Sequence, residues 1–381
     1  MKMKYFDYAA SCPLDEEAAQ AFVKASIEYF GNSRSLHDIG SNAEALLENC
    51  RTRIANYLGV EQQGLFFTSG GSESNFLAIY ALLSATQKKG KHIITGMAEH
   101  SSIQSTMKRL IREGYEITFL PLNENGQISL EQLTAALRED TVLLSIQHAN
   151  PEIGRVQPIA EIWGLCKKNN ILLHSDCVQT FGKLDLKPIL PDVDSISISG
   201  HKIYGPKGIG AAYINPRISC KPFFPGTSHE NGFRPGTVNI PAIVAMTVAA
   251  QKAYAMMDEQ SRHFQLLRQR FIDSLSSLGG LVTIYGSDTE DQIPSIAGLT
   301  IKGVAGQWTM LECNRKGYAI STGSACQTGM QTPSKTMKAM GLSDKTAKEF
   351  IRISFGRDSA VSDVEELGQT ICNIIHNAVR Q

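Results

Sequence analysis

Ile171-Leu172-Leu173-His174-Ser175-Asp176 is a short apolar run that closes on an acid, and its reading decides the fold. Consecutive apolar residues without alternation describe a strand buried on both faces, as in parallel sheets. Upstream, Leu65-Phe66-Phe67-Thr68, His92-Ile93-Ile94-Thr95, Ile117-Thr118-Phe119-Leu120 and Thr141-Val142-Leu143-Leu144-Ser145-Ile146 have the same character. Downstream, Ser195-Ile196-Ser197-Ile198-Ser199 and Ala211-Ala212-Tyr213-Ile214 continue the series. Helical patterns separate these runs. The clearest opens on a capping box, Ser129 with Gln132, followed by Leu133 and Leu137 on one face. Strand–helix alternation over so many units predicts an α/β fold, a mainly parallel sheet with helices on both sides.

The chain has 381 residues, more than the ~250–300 that one core accommodates, so a large domain and a smaller one are expected. After Ala211 the rhythm changes: a Gly/Pro-rich loop over 222–236, a long helical stretch over about 240–278, then looser α/β alternation. The predicted division is a large domain over 15–255 and a small α/β domain of 1–14 and 256–381. Lys+Arg and Asp+Glu both number 37, and this balance argues against a nucleic-acid groove, which shows as basic excess. No stretch approaches the ~20 apolar residues of a membrane span. The opening Met1-Lys2-Met3-Lys4-Tyr5-Phe6-Asp7 has no apolar signal region, so a cytoplasmic protein is expected. The eight cysteines form no C-x-x-C pair, which indicates neither a zinc site nor a disulfide framework.

Four segments carry candidate chemistry. Thr68-Ser69-Gly70-Gly71-Ser72-Glu73-Ser74-Asn75 is a glycine turn between strand and helix, where free N–H groups and the helix dipole suit an anion such as phosphate. By itself it is also an ordinary tight turn. Asp176, in His174-Ser175-Asp176-Cys177-Val178-Gln179, ends a buried strand, the place where ligands bind in open α/β sheets; it either caps the next turn or holds a cation or protonated ring nitrogen. Lys202 sits in Ser199-Gly200-His201-Lys202-Ile203-Tyr204-Gly205-Pro206-Lys207-Gly208. A desolvated lysine amine there could attack a carbonyl to form a Schiff base. The alternative, a solvated surface lysine, weakens because Asp176 and the glycine turn converge on the same sheet edge. Cys326, in Ser321-Thr322-Gly323-Ser324-Ala325-Cys326-Gln327-Thr328-Gly329, is the one cysteine amid small polar residues, a setting that keeps a thiol accessible. The other seven lie mostly in helix or strand patterns and are expected to be buried.

In this constellation the sequence resembles the cysteine desulfurases of the NifS/IscS type, class-V aminotransferases with the fold-type-I pyridoxal-phosphate architecture. The likeness runs through Gly31-Asn32-Ser33-Arg34-Ser35-Leu36-His37, the glycine turn, Glu99-His100, Asn150-Pro151-Glu152-Ile153-Gly154 and the Asp176 segment. It continues through the Lys202 segment, His229-Glu230-Asn231-Gly232-Phe233-Arg234-Pro235-Gly236-Thr237, the Cys326 loop and Ile351-Arg352-Ile353-Ser354-Phe355-Gly356-Arg357. The resemblance implies that Lys202 carries pyridoxal 5'-phosphate as a Schiff base and moves the substrate α-proton. It implies that Asp176 pairs with the pyridine nitrogen, His100 stacks on the ring and acts as acid and base, and Gln179 bonds the phenolic oxygen. Gly71, Ser72, Ser199 and His201 would cradle the phosphate, with Thr237 reaching the phosphate of a partner subunit in a homodimer. Arg352 would clamp the substrate carboxylate, with Asn150 as a second substrate-binding residue. No metal is implied. Cys326 as thiolate would take sulfur from L-cysteine as a persulfide, leave alanine, and pass the sulfur to acceptor proteins: an iron–sulfur scaffold, a thiolation enzyme or a dedicated client.

The chain departs from the family pattern in three places. Pro151 stands where a second asparagine is usual, removing a side-chain amide and a backbone N–H. Ser72 replaces a common threonine and keeps the hydroxyl, and Asn231 stands where a basic residue is common. The rival readings are a selenocysteine lyase, another lyase or aminotransferase on this fold, and a non-catalytic scaffold. The thiol of Cys326 separates desulfuration from transamination, and the intact Lys202, Asp176 and His100 set argues against a scaffold.

Overall fold

The computed structural model describes residues 3–190, 193–286, 291–323 and 332–379. Its strands are β1 (Lys4–Tyr5), β2 (Leu65–Thr68), β3 (His92–Gly96), β4 (Glu116–Leu120), β5 (Thr141–Gln147) and β6 (Leu172–Asp176). They continue with β7 (Ser195–Ser199), β8 (Gly210–Ile214), β9 (Val282–Tyr285), β10 (Ile296–Ile301), β11 (Tyr318–Ala319) and β12 (Phe350–Ser354).

Seven strands form the large sheet in the order β2-β8-β7-β6-β5-β3-β4. The pairs from β4 through β3, β5 and β6 to β7 are parallel. β8 alone is reversed, antiparallel to both β7 and β2. Every residue of β3, β5, β7 and β8 is buried, and the reason is visible in the side chains. Ile94, Ala211 and Tyr213 enter one apolar core while their neighbours Ile93, Ala212 and Ile214 enter another. The first core lies under the helices Asp38–Leu58 and Ile240–Ala255, the second under Gly71–Ala85 and Ser101–Arg112. A strand with apolar neighbours on both faces has no use for alternation. Ser129 caps the short helix Leu130–Ala136 by accepting from the Gln132 N–H.

A second, antiparallel sheet, β12-β10-β9, has its own core of Phe264, Phe271, Leu299, Ile351, Ile353, Leu367 and Ile371. Phe6 belongs to that core, and β1 pairs with β11. The helical stretch expected as one piece over 240–278 is two helices, Ile240–Ala255 and Met257–Ser274, bent by 70° at Met256. The two halves have different tasks: the first is rich in buried alanine, whereas the second restarts on Asp258 and Glu259 and buries only one stripe. No single helix among the described residues is long and apolar enough to cross a membrane.

Candidate active site

The site lies where β2, β6 and β7 and the turns leaving them meet. β2 ends at Thr68, and the chain enters the helix Gly71–Ala85 through Gly70, at φ 146° and ψ 178°. Only glycine adopts that conformation readily. Gly210 of β8 packs against it, since a Cβ there would lie 2.5 Å from the Ile198 carbonyl and 2.8 Å from Gly70. No side chain caps the start of this helix, so its first-turn N–H groups remain available to an anion. Gly71, Ser72, Ser199, His201, Ser11 and Lys207 line a depression of about 370 Å³ at this point. Burial and the positive charges of Lys202 and Lys207 push His201 down to about 4, so its ring is neutral at physiological pH.

Beside this cradle opens a cavity of about 260 Å³ whose lining includes His100, Asp176, Gln179, Ser199, His201 and Lys202. β6 delivers Asp176 at its carboxyl end, as the apolar run predicts. One carboxylate oxygen accepts from Asn75 Nδ2 at 2.8 Å and the other from the Val178 N–H at 3.0 Å. Asn75 Nδ2 also donates to Ser102 Oγ at 3.0 Å, and Ser102 Oγ lies 2.8 Å from His100 Nδ1. The Ser102 N–H donates to the same ring nitrogen at 3.2 Å. Nδ1 is thereby fixed as an acceptor and Nε2 carries the proton of the neutral ring. Burial, the larger cause, and Lys202 lower the His100 pKa against the opposing pull of Asp176.

Lys202 Nζ donates to the carbonyls of Ala9, at 2.6 Å, and Ala10, at 2.8 Å. Burial, then the charges of Lys183 and Arg352, push its pKa down to about 7. A lysine near neutrality is partly uncharged, the state a nucleophile or base requires. Gln179 Nε2 donates to the same Ala9 carbonyl at 3.0 Å.

A wider cavity of about 610 Å³ adjoins the first and is lined by His100, Gln179, Lys202, Pro151, Glu99, Glu152 and Arg352 among others. Arg352, on β12, donates from Nη2 to Asp7 at 2.6 Å and from Nη1 to the Pro151 carbonyl at 3.0 Å. Its buried Nε has no partner among the described residues. Burial raises the carboxyls of Glu99 and Glu152, Glu99 far above the usual range. Glu99 Oε1 accepts from the Gln147 N–H, while Oε2 is buried without a partner among the described residues.

Two predicted residues are not brought to either cavity. Asn150, expected at the substrate, lies behind the cavity wall: its Oδ1 accepts from the Glu152 and Ile153 N–H groups and its Nδ2 donates to Thr336 Oγ1. The amide is buried and used up in holding its own turn, and the chain presents Pro151 to the cavity instead. Thr237 is exposed and away from the cavities of its own chain. Cys326 lies outside the described residues; Gly323 and Thr332, described on either side of its segment, both line the wider cavity. The other cysteines are buried apart from the partly exposed Cys220, as their patterns predict. Sequence reasoning gave no role to Asn75, Ser102, Glu99 or Lys183. A signal existed for Asn75, a polar residue on the inner face of an otherwise apolar helix.

The family model of class-V aminotransferases matches residues 4–367, and the chain belongs to that family. Putative cysteine desulfurase NifS of Bacillus subtilis is 45% identical over 369 residues, 97% of this chain and 93% of that protein. Cysteine desulfurase IscS of Aeromonas salmonicida is 40% identical over 367 residues, 95% of this chain and 90% of that one. The solved structure of a NifS-like protein matches with a TM-score of 0.90 at 30% identity, over 98% of this chain and 100% of that chain. Within the family the chain therefore groups with the NifS/IscS-type cysteine desulfurases, which are pyridoxal-phosphate enzymes.

The residues present fit that cofactor. An uncapped helix start with two hydroxyls and His201 suits a phosphate, Asp176 suits a protonated ring nitrogen, and Lys202 suits an aldehyde carbon.

Proposed function

We propose that the chain is a cysteine desulfurase that converts L-cysteine to L-alanine and hands the sulfur, as a persulfide on Cys326, to acceptor proteins. The observation carrying this reading is the convergence of Lys202, Asp176, His100 and Gln179 on one cavity with Arg352 at the adjoining wider one. Pyridoxal phosphate, when bound, supplies the carbonyl for the Schiff base with Lys202 and the electron sink that stabilises negative charge on the substrate carbons.

The remaining steps belong to the chain's own residues. Arg352 holds the substrate carboxylate with a fork of N–H donors. Asp176, fixed by Asn75 and the Val178 amide, keeps the pyridine nitrogen protonated. Lys202, partly uncharged near neutral pH, would take the α-proton. His100, with its proton on Nε2, would donate from the ring edge turned away from its Ser102 contact. The Cys326 thiolate attacks the substrate sulfur. The carbon–sulfur bond breaks with its electron pair left on carbon, an S–S bond forms on Cys326, and the carbon side takes up protons to become alanine.

The chain acts in this reading as a cytoplasmic homodimer, with Thr237 turned to the partner's phosphate. Supporting the dimer is a run of exposed apolar residues, Val23, Ile27, Phe30, Leu36 and Ile39, on the helix Glu16–Glu28, the segment after it and the start of the helix Asp38–Leu58. The cofactor domain is 15–255, with 1–14 and 256–381 forming the smaller one. The acceptor is an iron–sulfur scaffold, a thiolation enzyme or a dedicated client protein. The test is Cys326→Ala: it should bind pyridoxal phosphate and respond spectrally to L-cysteine, yet lose alanine formation by orders of magnitude. The wild type, quenched after cysteine, should show one added sulfur on the Cys326 peptide by mass spectrometry. Near-normal alanine output from Cys326→Ala would overturn the mechanism.

A further inference from the structure

Lys183 has no part in the steps above, yet its amine lies beside them. β6 runs into a tight turn in which Phe181 N–H bonds the Cys177 carbonyl and Lys183 N–H the Thr180 carbonyl. Gly182 takes φ 70°, and a Cβ there would meet both Ala253 and Ile203 at 3.0 Å. The turn sets Lys183 four residues after Gln179, with Nζ donating to Gln179 Oε1 at 3.4 Å. A continuous polar path follows: Lys183 Nζ to Gln179 Oε1, Gln179 Nε2 to the Ala9 carbonyl, and that carbonyl to Lys202 Nζ. Lys183 and Lys202 also share the wall of a small cavity with Cys12, Tyr204 and Arg357.

We propose that Lys183 is a positioning residue of this site: its ammonium fixes the Gln179 amide and places a second positive charge behind the Lys202 amine. The inference rests on the reading of Lys202 as the cofactor lysine. An amide can flip between two orientations of nearly equal shape. An ammonium has donors only, so Lys183 accepts just one of them, with Oε1 towards itself and the Nε2 donor towards the site. Gln179 then faces the ring oxygen as a donor.

The charge has a second effect. A like charge disfavours protonation of a neighbouring amine, and Lys183 is the leading cause after burial of the lowered Lys202 pKa. Burial, the larger cause, and Arg352 lower the Lys183 pKa against the pull of Cys12, and Lys202 is faced by Arg352, Cys12 and Asp176 as well. The Asp176 carboxylate opposes the effect, and Arg352 reinforces it.

The experiment uses full-length chain freed of cofactor, with Lys202 acetylation by acetic anhydride followed by peptide mass spectrometry across pH 5–10. Labelling of the wild type should have its midpoint near 7, where burial and the two cations hold the amine. Lys183→Met should move the midpoint up by about one pH unit, which cuts Lys202 labelling at pH 7 about fivefold. Lys183→Gln gives the same reading if the Met variant does not fold, as judged by near-UV circular dichroism. Lys183→Arg, which keeps the charge, should hold the wild-type midpoint. An unchanged profile in the uncharged variants, or an equal shift in Lys183→Arg, overturns the proposal. The cofactor reading is tested separately in the wild type, by borohydride trapping of pyridoxal phosphate and mapping of the modified lysine. Trapping away from Lys202 would refute that reading while leaving the titration interpretable.

Discussion

Arg352→Ala tests the substrate side of the site, and its magnitude follows from the contacts. The guanidinium is almost wholly buried on β12, paired with the partly exposed Asp7 at 2.6 Å and with the Pro151 carbonyl at 3.0 Å. Arg352 lines the wider cavity, so a carboxylate entering there meets its guanidinium. Truncating one member of a buried, hydrogen-bonded charge pair costs ~2–5 kcal/mol in binding. The lower part of that range applies here, because the substrate must share Arg352 with Asp7: about 2–3 kcal/mol, or roughly 30- to 150-fold. The fold loses less. Asp7 keeps access to water, so the stability change should stay near ~1–2 kcal/mol. Steady-state alanine formation should therefore show KM for L-cysteine raised 30-fold or more, with pyridoxal-phosphate affinity within a few-fold of wild type. Arg352→Lys should recover only part of the loss, since an ammonium cannot bond a carboxylate through two parallel N–H groups. An unchanged KM in Arg352→Ala would remove Arg352 from the carboxylate role.

Two further outcomes are expected. Pro151→Asn restores a side-chain amide at a position lining both cavities, and should change the visible spectrum of the bound cofactor while leaving KM for cysteine near wild type, because Arg352 bonds the main-chain carbonyl of residue 151 and not its side chain. A raised KM with an unchanged spectrum would contradict that placement. Burial pushes His174 down to about 3 and His148 to about 4 from an ordinary value of 6.5; below pH 6.5 the unfolded chain binds protons that the fold refuses, so stability is full above 6.5 and falls as pH drops towards those values, by about 1.4 kcal/mol per pH unit for each ring. Glu99 and Glu152, raised by burial, pull the total slope the other way, so the check is the difference between wild type and His174→Asn in denaturant midpoints at pH 7.5, 6 and 5. The wild type should lose more stability on acidification, and equal losses would mean that His174 is protonated in the fold.

The large sheet was legible because its strands are buried on both sides and therefore written as unbroken apolar runs. The reversal of β8 is not marked by any such run, but the chain length carries it. Residues 200–209 connect β7 to β8, and a parallel return requires a crossover of a dozen or more. The break at Met256 was hidden because both halves of the 240–278 stretch have helical periodicity, and only their burial differs. Asp176 and Lys202 were legible since each ends or follows a strand of recognisable type. The placement of Asn150 was not: an asparagine serves a ligand or its own turn equally well from the sequence, and here the N–H groups of residues 152 and 153 claim it. Asn75 and Ser102 matter through pairing across three elements, which no local pattern records.

The N-terminal strap binds these pieces into one site. Asp7 pairs with Arg352, the carbonyls of Ala9 and Ala10 accept from Lys202, and Ala9 accepts from Gln179 as well. The Cys12 N–H bonds the His201 carbonyl, and Ser11 Oγ lies 3.3 Å from His201 Nδ1. At its far end Asp15 caps the helix Glu16–Glu28; burial works against its charge, but Lys252, the Ala18 amide and Arg357 hold its pKa at about 2. The same nine residues thus touch Arg352 on the small sheet and Lys202 beside the large one. Phe6, just before them, is buried in the core of the small sheet. A displacement of that sheet cannot leave Lys202 untouched, because the carbonyls that hold its amine travel with the strap. In the proposed reading, a carboxylate binding at Arg352 would compete with Asp7 for the guanidinium, and so would pull on the segment whose carbonyls hold the Lys202 amine.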